Sequence, residues 1–85
     1  MNNVYRTKDI YIAATLLASN FRLDNIDWEE KICYFTFDSP NPHEVDVYRT
    51  VAEYWDDTLS ISPKRLFSSF KEIKERMYHT QNENN

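Results

Sequence analysis

The sequence predicts an α+β fold in which a two-stranded antiparallel hairpin packs against three helices, in the order α-β-β-α-α. Two observations favour it. A more apolar set, Cys33, Phe35 and Phe37, alternates with a second set, Ile32, Tyr34 and Thr36, at the period of a β-strand. Apolar stripes at helical spacing lie before and after that stretch. We expect a single domain over residues 1–78, followed by a polar, frayed tail over 79–85.

The first helix is predicted from about Lys8 to Ser19, with Thr7 as its N-cap. Its apolar stripe consists of Ile10, Ala13, Ala14 and Leu17, widened by Ile12 and Leu16. Because the chain contains no glycine, Asn20 is expected in the left-handed conformation that ends the helix. Before the helix, residues 4–5 are interpreted as a short extended segment beside the hairpin.

The hairpin is predicted over residues 21–38, and its second strand is the more regular of the two. The face formed by Cys33, Phe35 and Phe37 is expected to meet the helices, and Tyr34 lies on the opposite, half-exposed face. The first strand changes parity near Asn25, which predicts a β-bulge and makes this asparagine a second candidate for a positive φ.

The connection between the two strands carries Glu29 and Glu30. Two-residue hairpin turns favour glycine or asparagine at positive φ, so these residues predict a loop of four residues or more.

The second helix is predicted to begin at a capping box and to end near Asp57. The box comprises Asn41, Pro42 and Glu44, and the apolar stripe comprises Val45, Tyr48, Ala52 and Trp55, joined by Val51. Residues 58–61 are either a linker that anchors Leu59 and Ile61 in the core or a short third strand.

The third helix is predicted from Pro63 to about Tyr78. Its core stripe is Leu66, Phe70, Ile73 and Met77.

The absence of glycine excludes the glycine-dependent nucleotide and serine-hydrolase motifs. His43 and Glu44 lack a second histidine at zinc-ligand spacing, so we expect no metal, no cofactor and no enzymatic activity. The single Cys33 excludes an intramolecular disulfide and fits a buried thiol in a reducing compartment. Without a signal peptide or a membrane-length apolar segment, the expected location is the cytoplasm and no membrane partner is expected.

A set of residues across most of the chain resembles a known family. The set comprises Tyr5, Thr7, Asp9, Ala13, Ala14, Leu16, Leu17, Tyr34, Phe35, Thr36, Phe37, Tyr54, Trp55, Leu59, Ile61, Pro63, Phe67 and Lys74. The family consists of short bacterial and phage proteins that are catalogued only as a domain of unknown function. The resemblance implies a prokaryotic or viral cytoplasmic protein, in the bacterial cell or in the host of a phage, and it implies no activity.

The surplus of tyrosine and tryptophan predicts a protein-interaction or regulatory module, because these residues are enriched at contact hot spots. The candidate contact residues are Trp28, Glu29, Glu30, Tyr34 and Tyr54. Trp28 is interpreted either as a side chain for a partner's pocket or as a lid folded over the sheet. The partner is a second protein or a second copy of the chain, since a two-stranded sheet has open edges.

The alternative function is nucleic-acid binding by the basic third helix. Lys64, Lys71 and Lys74 are spaced to share one face of that helix. Against this function stand the net charge of −4 and the sequence pI near 5.0, which give no general positive field. The positive charge of the third helix also has a purely structural explanation. The second helix is acidic, and the exposed faces of two neighbouring helices of opposite charge complement each other.

Overall fold

The computed structural model describes residues 4–38 and 46–83 and confirms the α+β class. The elements are β1 (Val4–Thr7), α1 (Ile10–Ala18), β2 (Arg22–Glu29), β3 (Ile32–Asp38), α2 (Val47–Trp55) and α3 (Pro63–Glu83). The described chain therefore has three strands, and the prediction of two was wrong.

The three strands form one antiparallel sheet in the order β1-β3-β2. The segment expected to lie beside the hairpin is a full strand that pairs with β3, from Val4 opposite Asp38 to Thr7 opposite Phe35. It pairs there because the hairpin leaves one edge of β3 open, and an open edge carries unpaired backbone groups. The central strand β3 is thus covered on both sides.

The hairpin contains the predicted bulge but a shorter turn than predicted. Leu23 lies opposite Phe37 and Asn25 opposite Thr36, so the register shifts between Leu23 and Asn25, as the change of parity indicated. Glu29 then lies opposite Ile32, which leaves a turn of two residues where a longer loop was expected. Glu30 takes a φ of 61° to make that turn, the sign that a type II′ turn requires at its first central residue.

Helices α1 and α2 both end in a Schellman motif, with a non-glycine residue in the left-handed position. Asn20 takes a φ of 73° after α1, as predicted, and the N–H of Phe21 donates to the Leu16 carbonyl at 3.1 Å. Asp57 takes a φ of 60° after α2, and the N–H of Thr58 donates to the Glu53 carbonyl at 3.0 Å. Asn25, the other predicted site, does not have a positive φ.

The N-terminal caps differ from those predicted. Asp9, not Thr7, caps α1: its Oδ1 accepts from the N–H of Tyr11 at 2.8 Å and of Ile12 at 3.2 Å. Thr7 supports the cap by accepting from the N–H of Asp9 at 3.0 Å. Asp46 caps α2, accepting from the N–H of Tyr48 at 2.9 Å. The predicted capping box of Asn41, Pro42 and Glu44 lies outside the described residues.

Helix α2 is rotated relative to the prediction. Its buried residues are Val47, Thr50 and Val51, whereas Tyr48, Ala52 and Trp55 are exposed. Tyr48 still serves the fold from the surface. Its hydroxyl donates to the Val4 carbonyl at 2.8 Å, and its ring meets Tyr5 edge-on at 5.5 Å, so it ties α2 to β1.

Residues 58–61 form no strand, which supports the linker interpretation, with Leu59 and Ile61 half-buried. Helix α3 continues to Glu83, beyond the predicted end at Tyr78, so the described part of the expected frayed tail is helical.

The core lies between the sheet and the helices, where Leu16, Phe35, Phe37, Val47 and Ile73 are the largest fully buried side chains. The alanines of α1 allow close packing at its centre.

Candidate functional site

The predicted contact residues at the hairpin do not converge on one surface. Trp28 pairs with Cys33 and so lies on the core face of the sheet, where it packs against the core cluster. This placement agrees with the lid interpretation. Its Nε1 is buried without a hydrogen-bond partner among the described residues. Glu29 and Tyr34 belong to the opposite face, because side chains alternate along a strand.

Arg6 occupies the outer face of the sheet and engages the predicted contact residues there. Its guanidinium lies 3.8 Å from the centre of the Tyr34 ring and donates to Asp27 at 2.9 Å and to Glu29 at 3.0 Å. The hydrogen bond that Arg6 donates to the Asp27 carboxylate raises the pKa of Arg6 above its ordinary value. Tyr34 and Glu29 therefore make contacts within the sheet, through Arg6. Arg6 was not predicted as part of this cluster because its place on the sheet depends on the pairing of β1 with β3, which local sequence does not reveal.

Tyr54 lies elsewhere, on the helical side of the molecule. It is half-buried against the core and meets Trp55 edge-on, with ring centres 5.2 Å apart. Glu30 is exposed in the hairpin turn. The predicted set is thus divided among the core face, the outer face, the turn and the helices, and only Tyr54 borders a large apolar hollow.

That hollow has a volume of about 390 Å³ and lies where the three helices meet. It is lined by Tyr11, Ala14, Thr15, Tyr54, Leu66, Phe67 and Phe70. Two of the aromatic side chains are unusually open to solvent, since Tyr11 is 61% exposed and Phe67 is 71% exposed. Tyr11 stacks on Phe70, with ring centres 5.6 Å apart and ring planes 15° apart, and this fixes one wall.

A second hollow of about 310 Å³ continues along α3 and shares Phe67 and Phe70 with the first. It is lined further by Lys71, Lys74, Glu75 and Tyr78. We call the two hollows together the aromatic groove. The Nζ of Lys74 lies 5.6 Å from the centre of the Phe70 ring, within the range of a cation–π contact. Positive charge and aromatic rings therefore meet at this end of the groove.

The lysines of the groove belong to a longer stripe on α3. Lys64, Phe67, Lys71, Lys74 and Tyr78 follow one another at intervals of three and four residues, and all are exposed. This spacing places them on one face of the helix. Among the described side chains none of these lysines forms an ion pair, whereas Arg76 pairs with Glu72 at 2.6 Å. The predicted lysines thus share a face, and Phe67 and Tyr78 are interleaved with them.

The sequence contained a signal for this surface that composition alone did not reveal. Phe67 and Tyr78 fall outside the core stripe of the third helix, so a large aromatic side chain remains on its exposed side. Trp55, which the sequence placed on the buried stripe of the second helix, is 66% exposed. Phe67 and Tyr78 could therefore be recognised from the sequence as aromatic residues outside the buried stripe of their helix. The exposure of Trp55 could not, because Trp55 lies on the predicted stripe.

No other described feature assembles a chemical site. The part of the chain that the structure describes contains no group of three or more metal-ligating side chains, and His43 lies outside it. Burial raises the pKa of the Cys33 thiol to about 11, with the charge of Asp27 adding to the effect, so Cys33 is not an activated nucleophile. A polar hollow of about 460 Å³ lies between β2 and the end of α3, where Asp24, Glu75 and Arg76 line it. None of the described helices is both long enough and apolar enough to cross a membrane.

The fold and the groove define a small α+β protein with an exposed aromatic surface on its helical side. No family model, no curated protein and no solved structure matches the chain. The resemblance to short bacterial and phage proteins therefore stays a prediction.

Proposed function

We propose that the protein is a non-enzymatic protein-interaction module that binds its partner at the aromatic groove. The observation that carries this proposal is the exposure of Phe67 and Tyr11 beside an apolar hollow. A small chain has little apolar surface with which to stabilise its fold, so large aromatic rings left in water are costly unless a partner covers them.

The groove has the features of a contact hot spot. Aromatic side chains supply a large apolar area with few rotatable bonds, and hot spots are enriched in them. The stacking of Tyr11 on Phe70 holds two rings in place before a partner arrives, which lowers the entropic cost of binding. Tyr54 remains a contact residue, whereas Trp28, Glu29 and Tyr34 support the sheet.

A random peptide library selected against the protein tests this proposal. We expect groove-dependent binders, and we expect Phe67→Gln to lower their affinity at least about thirtyfold, because truncating a hot-spot aromatic typically costs about 2 kcal/mol or more. Ile32→Gln is the matched control, since it removes an exposed apolar side chain from the outer face of the sheet. Binders that are equally sensitive to both substitutions, or no binders, would contradict the proposal.

Nucleic-acid binding by α3 is the second candidate, and the stripe of lysines interleaved with Phe67 and Tyr78 favours it. Aromatic rings stack on bases while lysines neutralise phosphates. With three lysines engaged, affinity for a labelled single-stranded oligonucleotide should fall about twentyfold between about 50 and about 200 mM salt. Substituting Lys71→Glu together with Lys74→Glu should abolish the binding, and Lys31→Glu in the hairpin turn should not. No binding at low salt would exclude this candidate.

A further inference from the structure

We infer that the partner segment in the aromatic groove is an acidic amphipathic helix that lies along α3. This inference rests on the proposed function and adds the chemistry of the partner. It follows from the elements that line the groove, from its length and from the charge on its rim.

The lining elements favour recognition of a helix. Every residue of the first hollow belongs to α1, α2 or α3, and the second hollow is lined by α3 alone. No described strand edge borders the groove, so a partner cannot add a strand to the sheet there. An amphipathic helix whose apolar side chains enter the groove is the mode that fits a surface built only from helices, because helices pack along one another by interlocking their side-chain ridges. A proline-rich extended segment also docks in aromatic-lined grooves, and its selection from the random library would count against the helix.

The length of the groove sets the size of the segment. From Leu66 to Tyr78 the helix rises by about 18 Å, at 1.5 Å per residue. A partner helix of about 12 residues, or three turns, spans the same distance. Its apolar residues at helical spacing would meet Tyr11, Phe67 and Phe70.

The charge on the rim favours carboxylates on the partner. Lys71 and Lys74 line the groove, and Lys64 lies on the same face of α3. All three are exposed and have no ion-pair partner among the described side chains, although the whole protein carries a net charge of −4. Glu75 is the one carboxylate that lines the groove. Acidic side chains beside the partner's apolar face would pair with these lysines, steer the encounter and fix the orientation along α3.

A displayed library of helices of about 12 residues tests the inference. One face carries Leu, Phe, Met or Trp, and each polar position is drawn equally from Glu, Lys and Gln. We expect selection on the protein to enrich Glu over Lys at the polar positions. Lys71→Glu with Lys74→Glu should lower the affinity of the selected helices by about tenfold or more, because two attractive pairs become repulsive. Lys31→Glu, the same kind of charge reversal at a single exposed lysine outside the groove, should leave affinity unchanged.

Selected helices without a preference for Glu, or with a preference that survives Lys71→Glu and Lys74→Glu, would overturn the inference. In that case groove-dependent peptides from the random library would still support the proposed function, so the two failures are distinguishable. Two other occupants are tested in parallel. An oligonucleotide that displaces the selected helices, or a dimer in light scattering that Phe67→Gln dissociates, would replace the acidic helix with nucleic acid or with a second copy of the chain.

Discussion

At the scale of single residues, the chain has no glycine, so residues that carry a Cβ occupy the positive-φ positions of its turns. Glu30 adopts a φ of 61° although its Cβ makes left-handed conformations unfavourable by roughly 1–2 kcal/mol. We therefore predict that Glu30→Gly raises the free energy of unfolding by about 1 kcal/mol, measured by urea denaturation. Glu30→Gln is the matched control, because it removes the charge and keeps the Cβ. An equal gain from both substitutions would show that charge, not backbone strain, is responsible.

The buried thiol gives a second prediction at this scale. The pKa of Cys33 rises from 9.0 to about 11 in the folded protein, so between these values the unfolded chain loses a proton that the folded chain keeps. The unfolded state then binds fewer protons, and stability falls as the pH rises. Comparison with Cys33→Ala between pH 9 and 11 isolates this contribution from the titration of tyrosine and lysine. A pH dependence shared by both proteins would contradict the raised pKa.

At the scale of the helices, α3 has one face that stabilises the fold and one that does not. Ile73 is fully buried, so Ile73→Ala should lower the free energy of unfolding by about 2–5 kcal/mol. Phe67→Ala, which removes a larger side chain from the exposed face, should change it by less than about 1 kcal/mol. Thermal unfolding of the two variants measures both effects. A large loss for Phe67→Ala would mean that its ring stabilises the fold and is not held for a partner.

The sequence predicted these elements unequally, for physical reasons. Apolar periodicity located β3 and the core face of α3, because each has a single consistent stripe, and α1 was located because it is apolar around most of its circumference. Helix α2 offers two overlapping stripes, and only contact with the rest of the fold selects Val47 and Val51 over Tyr48 and Trp55. The turn at Glu30 was missed because local preference for glycine is overridden where both flanking strands are already paired.

At the scale of the whole molecule, the candidate site depends on packing that no single segment encodes. The third helix showed Lys64, Lys71 and Lys74 in the sequence, but the groove beside them exists only where α1 brings Tyr11 onto Phe70. The hairpin site, in contrast, was inferred from neighbours in sequence, and strand alternation separates Trp28 from Glu29. Contacts between distant segments are the part that periodicity does not reveal.

The edge strand β1 gives a prediction about the association of whole molecules, because it covers one side of β3. Removing residues 1–7 deletes β1 and opens the edge of β3, with its paired backbone groups from Phe35 to Asp38. We expect the shortened protein to self-associate as its concentration rises, because an open edge pairs with another chain. Light scattering measures this, and removal of residues 1–3 alone, which leaves β1 intact, is the control. A shortened protein that stays monomeric would show that the edge is covered by another element.

The position of β1 also orders events during synthesis. Synthesis proceeds from the N-terminus, so β1 leaves the ribosome before its partner β3 and cannot pair until β3 has followed. The hairpin of β2 and β3 can close as soon as it emerges, since its strands are joined by two residues. Pairing of β1 with β3 closes a much longer loop, so we expect it to follow closure of the hairpin. Until β1 docks, one edge of the future central strand is open to pairing with neighbouring nascent chains.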